Sequence, residues 1–278
     1  MLIRLLALWA GSALTCWAAA APLKIIHIGI HQIEDGPAVA DRVGFVPGET
    51  IYLSFDVENY SLTKEQGTAV SWVVEATDPK GVPIVPPAEG KKQATLQAED
   101  KNWLPRARQA IILPTLCTGG LYSIHIKVTD QNSKDTAEAD TKFKVSGPEL
   151  PATPELVIRS FAFFRTEEDP KPLQSPTYRS GDSMYARFQI AGYKYGPGNA
   201  IDASYGISIL GPAGNVMYTQ DPASEEKSAS FYPKPYFDAS MSLSLNAGTK
   251  AGDYTLVITA KDKVGSQTAE ARKTFHVE

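Results

Sequence analysis

The chain has 278 residues and a formal net charge of −4, and 43% of its residues are hydrophobic. This mildly acidic, mixed charge argues against a nucleic-acid-binding protein, which needs a basic face, and against electrostatic docking on anionic lipid. No apolar run approaches the roughly 20 residues that span a bilayer, so we expect no transmembrane segment.

The chain begins with the features of a secretory signal peptide. A basic residue precedes an apolar run at 5–14, and an Ala-rich stretch follows it. We predict cleavage after Ala20, so that residues 1–20 are removed. The alternative is a lipoprotein signal in which Cys16 is lipidated, although the residues before Cys16 match such a signal poorly.

Cysteine usage points to a bacterial envelope. Cys16 and Cys117 are the two cysteines of the sequence, so a mature protein without the signal peptide has one thiol and no intrachain disulfide. Each domain must therefore be held by its hydrophobic core. We expect an exported protein in the periplasm, outside the cell or at the surface of a bacterium.

An eleven-residue segment occurs twice. Residues 120–130, GLYSIHIKVTD, return as residues 252–262, GDYTLVITAKD, at a constant shift of 132. A repeat with this long period predicts two homologous domains. We assign domain 1 to residues 21–147, a semi-rigid Pro-rich linker to 148–154 and domain 2 to 155–278.

Each domain shows strands in the same order. They are predicted at 23–32, 51–57, 70–76, 107–113 and 120–130, with counterparts at 156–164, 184–190, 203–209, 240–245 and 252–262. Apolar and polar residues alternate in them, which is typical of antiparallel sheets packed on one face. The chain is therefore predicted to be all-β. Residues 86–106 and 219–239 look irregular and differ most between the copies, so we expect any binding function there.

The turn and core residues resemble those of bacterial immunoglobulin-like and macroglobulin-type β-sandwich domains over nearly all of the mature chain. They are Pro47-Gly48-Glu49-Thr50, Asp78-Pro79-Lys80-Gly81 and Gly120-Leu121-Tyr122, with Ser180-Gly181-Asp182-Ser183, Gly211-Pro212-Ala213-Gly214 and Gly252-Asp253-Tyr254. The resemblance implies two tandem immunoglobulin-like sandwiches of seven strands each. Tyr122 and Tyr254 fall where such domains have a tyrosine corner, and they also lie in register with inward residues. Turn and core residues imply no activity.

An aromatic segment in domain 2 is the main candidate binding site. Residues 231–237, FYPKPYF, hold four aromatic side chains and two stiffening prolines. If exposed, they would form an apolar patch suited to sugars or proline-rich peptides. The candidate binding residues are Phe231, Tyr232, Tyr236, Phe237 and, near the matching place in domain 1, Trp103. If buried, these rings would close the sandwich or pack on the neighbouring domain.

Acidic loops suggest a possible calcium site where the domains meet. Glu34, Asp35 and Asp78 are expected at the end of domain 1 from which the linker leaves, and Asp262 near the facing end of domain 2. Carboxylate oxygens suit calcium, but no Asp-x-Asp motif is present, and solvated loop charges explain these residues equally. No other cofactor is expected.

No catalytic set is evident. The sequence lacks Gly-x-Ser-x-Gly, and Cys117 aligns with Thr249 in a loop of the repeat. His27 and His31 would lie about 13 Å apart along one strand, too far to share a metal ion. We therefore expect a non-catalytic binding or scaffold protein with a protein or glycan partner. The alternatives are a carbohydrate-binding module that uses residues 231–237, and an enzyme or accessory subunit with a site at the domain junction.

Overall fold

The computed structural model describes residues 21–40, 43–147 and 153–278. The predicted signal peptide, with Cys16, and residues 148–152 of the predicted linker lie outside the described residues. Within the described part, no helix is long and apolar enough to cross a membrane.

Domain 1 consists of two β-sheets packed face to face. Its strands are β1 (Lys24–His31), β2 (Gly44–Phe45), β3 (Thr50–Glu58), β4 (Gly67–Thr77), β5 (Ala88–Thr95), β6 (Arg106–Ile112), β7 (Gly120–Asp130) and β8 (Thr136–Val145). One sheet has the order β1-β3-β6 and the other β2-β8-β7-β4-β5. All pairs are antiparallel except β2 with β8.

Domain 2 repeats this arrangement. Its strands are β9 (Val157–Phe164), β10 (Thr177–Tyr178), β11 (Ser183–Ala191), β12 (Ile201–Leu210), β13 (Val216–Ser228), β14 (Tyr236–Ser244), β15 (Gly252–Asp262) and β16 (Gln267–Val277). The sheets have the orders β9-β11-β14 and β10-β16-β15-β12-β13. This arrangement is that of an immunoglobulin-like sandwich in which the larger sheet has two further strands, β2 and β5 in domain 1 and β10 and β13 in domain 2, and the smaller sheet keeps three. The chain is thus all-β, with two tandem immunoglobulin-like sandwiches, as predicted.

The core lies between the sheets because every second residue of a strand points inward. In β7 the side chains of Tyr122, Ile124, Ile126 and Val128 are fully buried, and the residues between them are not. Such alternation lets eleven residues supply a continuous apolar face while their neighbours stay in contact with water.

Aromatic pairs join the two sheets at matching positions. Phe55 meets Trp72 edge to face with ring centroids 6.0 Å apart, and Phe188 meets Tyr205 in the same way at 5.0 Å. Antibody domains place a Trp here against an inter-sheet disulfide. Neither sandwich contains a disulfide in its described part, where Cys117 is a buried free cysteine. The two sheets are therefore joined at this position by the packing of the aromatic rings.

Both predicted tyrosine corners are formed. The hydroxyl of Tyr122 donates to the carbonyl oxygen of Thr118 at 2.7 Å, and that of Tyr254 donates to Lys250 at 2.8 Å. Both rings are also buried. The two interpretations of these tyrosines therefore hold together, because the ring fills the core while the hydroxyl fixes the preceding loop.

The irregular middle segments of the repeats contain regular strands. β5 lies within residues 86–106, and most of β13 lies within residues 219–239. The prediction of irregular structure was wrong there, because edge strands are exposed on several sides and lack the alternation of a half-buried strand. The two-residue strands β2 and β10 also bring each sandwich to eight strands.

Candidate functional site

The end of domain 2 that faces domain 1 is held by two buried side chains. The Tyr193 hydroxyl donates to the carbonyl oxygen of Lys234 at 2.7 Å. The Asp262 carboxylate is 2% exposed and accepts the backbone N–H groups of Lys194 at 2.9 Å and Val264 at 3.0 Å. Three loops are thereby fixed relative to one another at this end of the sandwich.

Domain 1 uses the same device at its far end. There Tyr60 donates to the carbonyl oxygen of Trp103 at 2.7 Å, and Asp130 accepts the N–H of Ser61 at 2.6 Å. Because the same hydrogen bonds occur in domain 1 away from the junction, the positions of Tyr193 and Asp262 reflect a structural role in the fold and do not by themselves indicate a binding site.

Tyr232 connects domain 2 to domain 1. Its ring packs against the core of domain 1, and its hydroxyl donates to Asp78 Oδ2 at 3.0 Å. Asp78 is 6% exposed, and its Oδ1 accepts the N–H groups of Lys80 and Val82, both at 2.8 Å. The turn after β4 thus holds a buried carboxylate in place for the tyrosine of the other domain.

A cavity of about 300 Å³ lies between the domains beside this bond. Its wall includes Asp78, Val82 and Leu116 from domain 1 and Tyr193, Tyr195, Tyr232, Pro233 and Pro235 from domain 2. Concave sites at domain interfaces, with mostly apolar and aromatic walls and few polar groups, are where proteins commonly bind small molecules.

The hydroxyl groups of Tyr193, Tyr195 and Tyr232 are already hydrogen-bonded, so a ligand in the cavity would contact these residues through their rings. Tyr195, like Tyr193, donates its hydroxyl to the Lys234 carbonyl oxygen. Burial raises the pKa of both tyrosines, and burial together with the bond to Asp78 raises the pKa of Tyr232. All three hydroxyls therefore stay protonated and engaged near neutral pH. This set of tyrosines supplies no general base.

The nearest thiol is also unsuited to chemistry. Cys117 lies between two residues that line the cavity, but it is 3% exposed. Burial raises the pKa of its thiol, and because the thiolate is the reactive form, a raised pKa lowers reactivity.

The four aromatic rings of residues 231–237 do not share one surface. Tyr232 packs on domain 1, and Phe237 packs against the core of domain 2. The guanidinium of Arg159 lies over the Tyr236 ring, 4.9 Å from its centroid. Phe231 is 49% exposed. The segment therefore joins the domains, as one of the alternatives predicted, and it presents no flat stacking platform of several rings.

Trp103, the candidate in domain 1, lies at the opposite end of that domain. Its ring packs edge to face with Tyr60 at a centroid distance of 6.0 Å. Tyr60 lies in the loop that leads from the end of β3 into the start of β4, whereas Asp78 follows the other end of β4, so the two residues lie at opposite ends of the sandwich. Trp103 is thus remote from the junction cavity.

The four candidate calcium ligands do not converge. Asp35 pairs with Arg108 at 2.6 Å, Glu34 is exposed, and Asp78 and Asp262 hold the loops described above. In the part of the chain that the structure describes, no group of three or more His, Cys, Asp or Glu side chains could hold a metal ion. Of the four acidic residues expected at the domain junction, only Asp78 lines the cavity.

A serine–histidine pair, which sequence reasoning missed, lies on the outer face of the β1-β3-β6 sheet. His31 Nε2 is 2.8 Å from Ser54 Oγ. The other ring nitrogen, Nδ1, is buried and has no hydrogen-bond partner among the described residues. A catalytic histidine needs a group that orients it, so this pair is incomplete. No sequence pattern marks this pair. The two residues meet only through the register of β1 on β3, and a bulge between Ile26 and Gly29 shifts that register.

Comparisons with known proteins give no family. No family model and no curated protein matches the chain. Among solved structures, the chain is similar to dimeric latent PorU from Porphyromonas gingivalis, with 13% identity and a TM-score of 0.26 over 93% of this chain and 20% of that one. It is also similar to BspA_C_WT, with 11% identity and a TM-score of 0.27 over 93% of this chain and 100% of that one.

The chain therefore spans about a fifth of the length of the PorU chain. The immunoglobulin-like assignment rests on the strand order, the inter-sheet aromatic pairs and the two tyrosine corners. The chain is a tandem of two such sandwiches with an aromatic-lined cavity at their junction.

Proposed function

We propose that the protein is an exported, non-catalytic binding protein whose ligand site is the cavity between its two domains. The observation that carries this proposal is the cavity itself, with about 300 Å³ of space and a wall that both domains supply. Export rests on the signal peptide predicted in residues 1–20.

The hydrogen bonding of the cavity favours binding over catalysis. Its tyrosine hydroxyls are already donated to Lys234 and Asp78. Asp78 accepts three hydrogen bonds, so its carboxylate oxygens are already engaged by the turn after β4 and by Tyr232. The surface that remains available to a ligand consists mainly of the faces of the tyrosine rings and of Pro233 and Pro235.

The Tyr232–Asp78 bond supports a preformed site. A hydrogen bond to a carboxylate is stronger than one between neutral groups, and this one links the two domains directly. A cavity held open before binding avoids much of the ordering cost that a ligand would otherwise have to offset.

A fragment screen by protein-observed NMR tests the proposal on the full chain. We expect small aromatic and sugar-like fragments to shift the amide resonances of Val82, Leu116 and Tyr195. Leu116→Trp, which fills the cavity, should abolish these shifts. The matched control is Leu62→Trp, at a leucine that is 43% exposed and does not line the cavity.

Two outcomes would overturn the proposal. Fragments that bind elsewhere, or that bind equally well to Leu116→Trp, would remove the cavity as the ligand site. A hydrolase or oxidoreductase activity that stays with the purified protein and is lost in Leu116→Trp would remove its non-catalytic character.

The aromatic rings of the cavity wall support glycan binding as a second candidate function. Tyr193 and Tyr195 present perpendicular rings, 5.6 Å apart at 81°, beside Pro233 and Pro235. Rings of this kind suit the apolar faces of sugars. A glycan array should then show binding that Tyr195→Ala removes, while Tyr236→Ala, whose ring lies under Arg159, keeps it; the reverse pattern would dispose of this candidate.

A further inference from the structure

Lys80 is the charged side chain of the junction cavity that has no partner among the described residues. It lines the cavity together with Asp78, whose carboxylate already accepts three hydrogen bonds. Lys194 lies between two tyrosines of the wall, but its ammonium donates to the carbonyl oxygen of Pro154 at 3.0 Å. Lys80 is exposed, so its ammonium stands at the mouth of the cavity without a counter-charge.

The fold does not require a lysine at this position. The turn at 78–81 is repeated at 211–214 in domain 2, where the counterpart of Lys80 is Ala213. Each turn closes with a hydrogen bond from its last N–H to its first carbonyl oxygen, at 2.9 Å and 2.8 Å, and each ends on a glycine with a φ of 80° or 79°. The same turn therefore forms without the ammonium, and the charge occurs in the copy that lines the cavity.

A ligand that fills the cavity has to provide for this ammonium. Covering it removes water, and a charge that loses water without gaining a partner is costly. A neutral ring compound would leave the ammonium unpaired and a cation would be repelled, whereas a carboxylate would form a charge-assisted hydrogen bond. An apolar cavity of about 150 Å³ holds one benzene ring, so about 300 Å³ has room for one substituted ring or for two rings.

We propose that the ligand of the junction cavity is a small ring compound that carries one carboxylate. The carboxylate pairs with Lys80, and the ring packs against Tyr195, which is 39% exposed, and against Pro233 and Pro235. A single charge matches the single unpaired ammonium of the wall. Such a ligand presupposes the proposed function, because it occupies the same cavity. Aromatic acids and uronic acids share this chemistry and differ in the ring.

Titrations followed by protein-observed NMR compare each acid with its uncharged amide. Benzoate is paired with benzamide and glucuronate with glucuronamide, and the amide resonances of Val82 and Leu116 report binding. We expect at least one acid to bind about two- to fivefold more tightly than its amide, the range of an exposed ion pair. The pair that shows this preference identifies the ring. Added salt should weaken binding of the acid and leave that of the amide unchanged.

Lys80→Met removes the ammonium and keeps an unbranched apolar side chain. In this variant the acid and its amide should bind equally, with the affinity for the amide unchanged. Lys64→Met is the matched control, because Lys64 is exposed in the loop between β3 and β4, at the end of domain 1 away from the cavity. It should keep the preference for the acid, and circular dichroism should show both variants folded.

Amides that bind as tightly as their acids in both pairs would overturn the carboxylate and leave the cavity as the ligand site. So would the absence of binding by both acids when other fragments occupy the cavity. A preference that persists in Lys80→Met, or that Lys64→Met also removes, would overturn Lys80 as the partner of the carboxylate. Failure of every fragment to shift the resonances of the cavity would instead remove the proposed function, and this ligand with it.

Discussion

The two domains are nearly the same inside and differ at their surfaces. Both have a tyrosine corner, an aromatic pair between the sheets and a buried aspartate that ties two loops. After the β4–β5 and β12–β13 turns they diverge: domain 1 buries Ile84, whereas domain 2 exposes Met217. The duplication has kept what a sandwich needs to fold, and the edges carry what distinguishes the copies.

The two domains also differ in the turn that follows β4 in domain 1 and β12 in domain 2. Domain 1 offers Asp78 to Tyr232, but the residue at the position of Asp78 in domain 2 is Gly211, which has no side chain to accept such a bond. The repeated fold therefore makes one specific joint. The Gly211 end of domain 2 could not form an equivalent bond.

Replacement of Ile84 and Met217 by alanine tests the difference between the edges most strongly. Because Ile84 is 2% exposed, Ile84→Ala should lower the free energy of unfolding of domain 1 by about 2–5 kcal/mol through the cavity left behind. Met217→Ala, at a residue 60% exposed, should change that of domain 2 by less than about 0.5 kcal/mol.

Tryptophan fluorescence during urea unfolding resolves the first of these effects. Trp72 and Trp103 are the tryptophans of the described residues, and both lie in domain 1, so fluorescence follows that domain, while hydrogen exchange follows the amides of domain 2. Equal losses at the two positions would contradict the claim that only domain 1 packs this residue.

The sequence predicted the interior better than the surface for a physical reason. The alternation around Tyr122 and its copy around Tyr254 reports burial on one face, so strands and core followed from it. Residues that act at the surface leave no such pattern: Val82 and Leu116 line the cavity from turns, where a single apolar residue has no periodicity. The contact of Tyr232 with Asp78 joins residues 154 positions apart, and only the docking of the domains brings them together.

Acid should weaken domain 1 through Asp130. This carboxylate is fully buried and accepts the N–H groups of Ser61 at 2.6 Å and Asn132 at 2.8 Å. Burial alone would raise its pKa, but these N–H groups hold the pKa below its usual value. A carboxyl with a lowered pKa stabilises the fold above the unfolded value, near pH 4, and this stabilisation is lost as the pH falls through the folded pKa.

Asp130→Asn should therefore cost about 1–3 kcal/mol at pH 7, because two buried donors lose a charged acceptor. The difference from the unchanged protein should shrink below about pH 4. Urea unfolding followed by fluorescence at several pH values measures it. Asp262→Asn, in the equivalent loop of domain 2, is the control and should leave the fluorescence transition in place. A difference that does not change with pH would contradict the role given to the charge.

The smallest expected effect is that of the tyrosine corners, and it tests how far the two domains are alike. Tyr122→Phe and Tyr254→Phe each remove one hydroxyl donor and keep the ring, so each should cost its own domain about 0.5–1.5 kcal/mol. Tyr122 is 0% and Tyr254 5% exposed, and an acceptor left without its donor costs more where water cannot replace it. The loss should therefore be larger in domain 1. Hydrogen exchange of the core amides of β7 and β15 measures both losses in one experiment, and a larger loss in domain 2 would contradict burial as the cause.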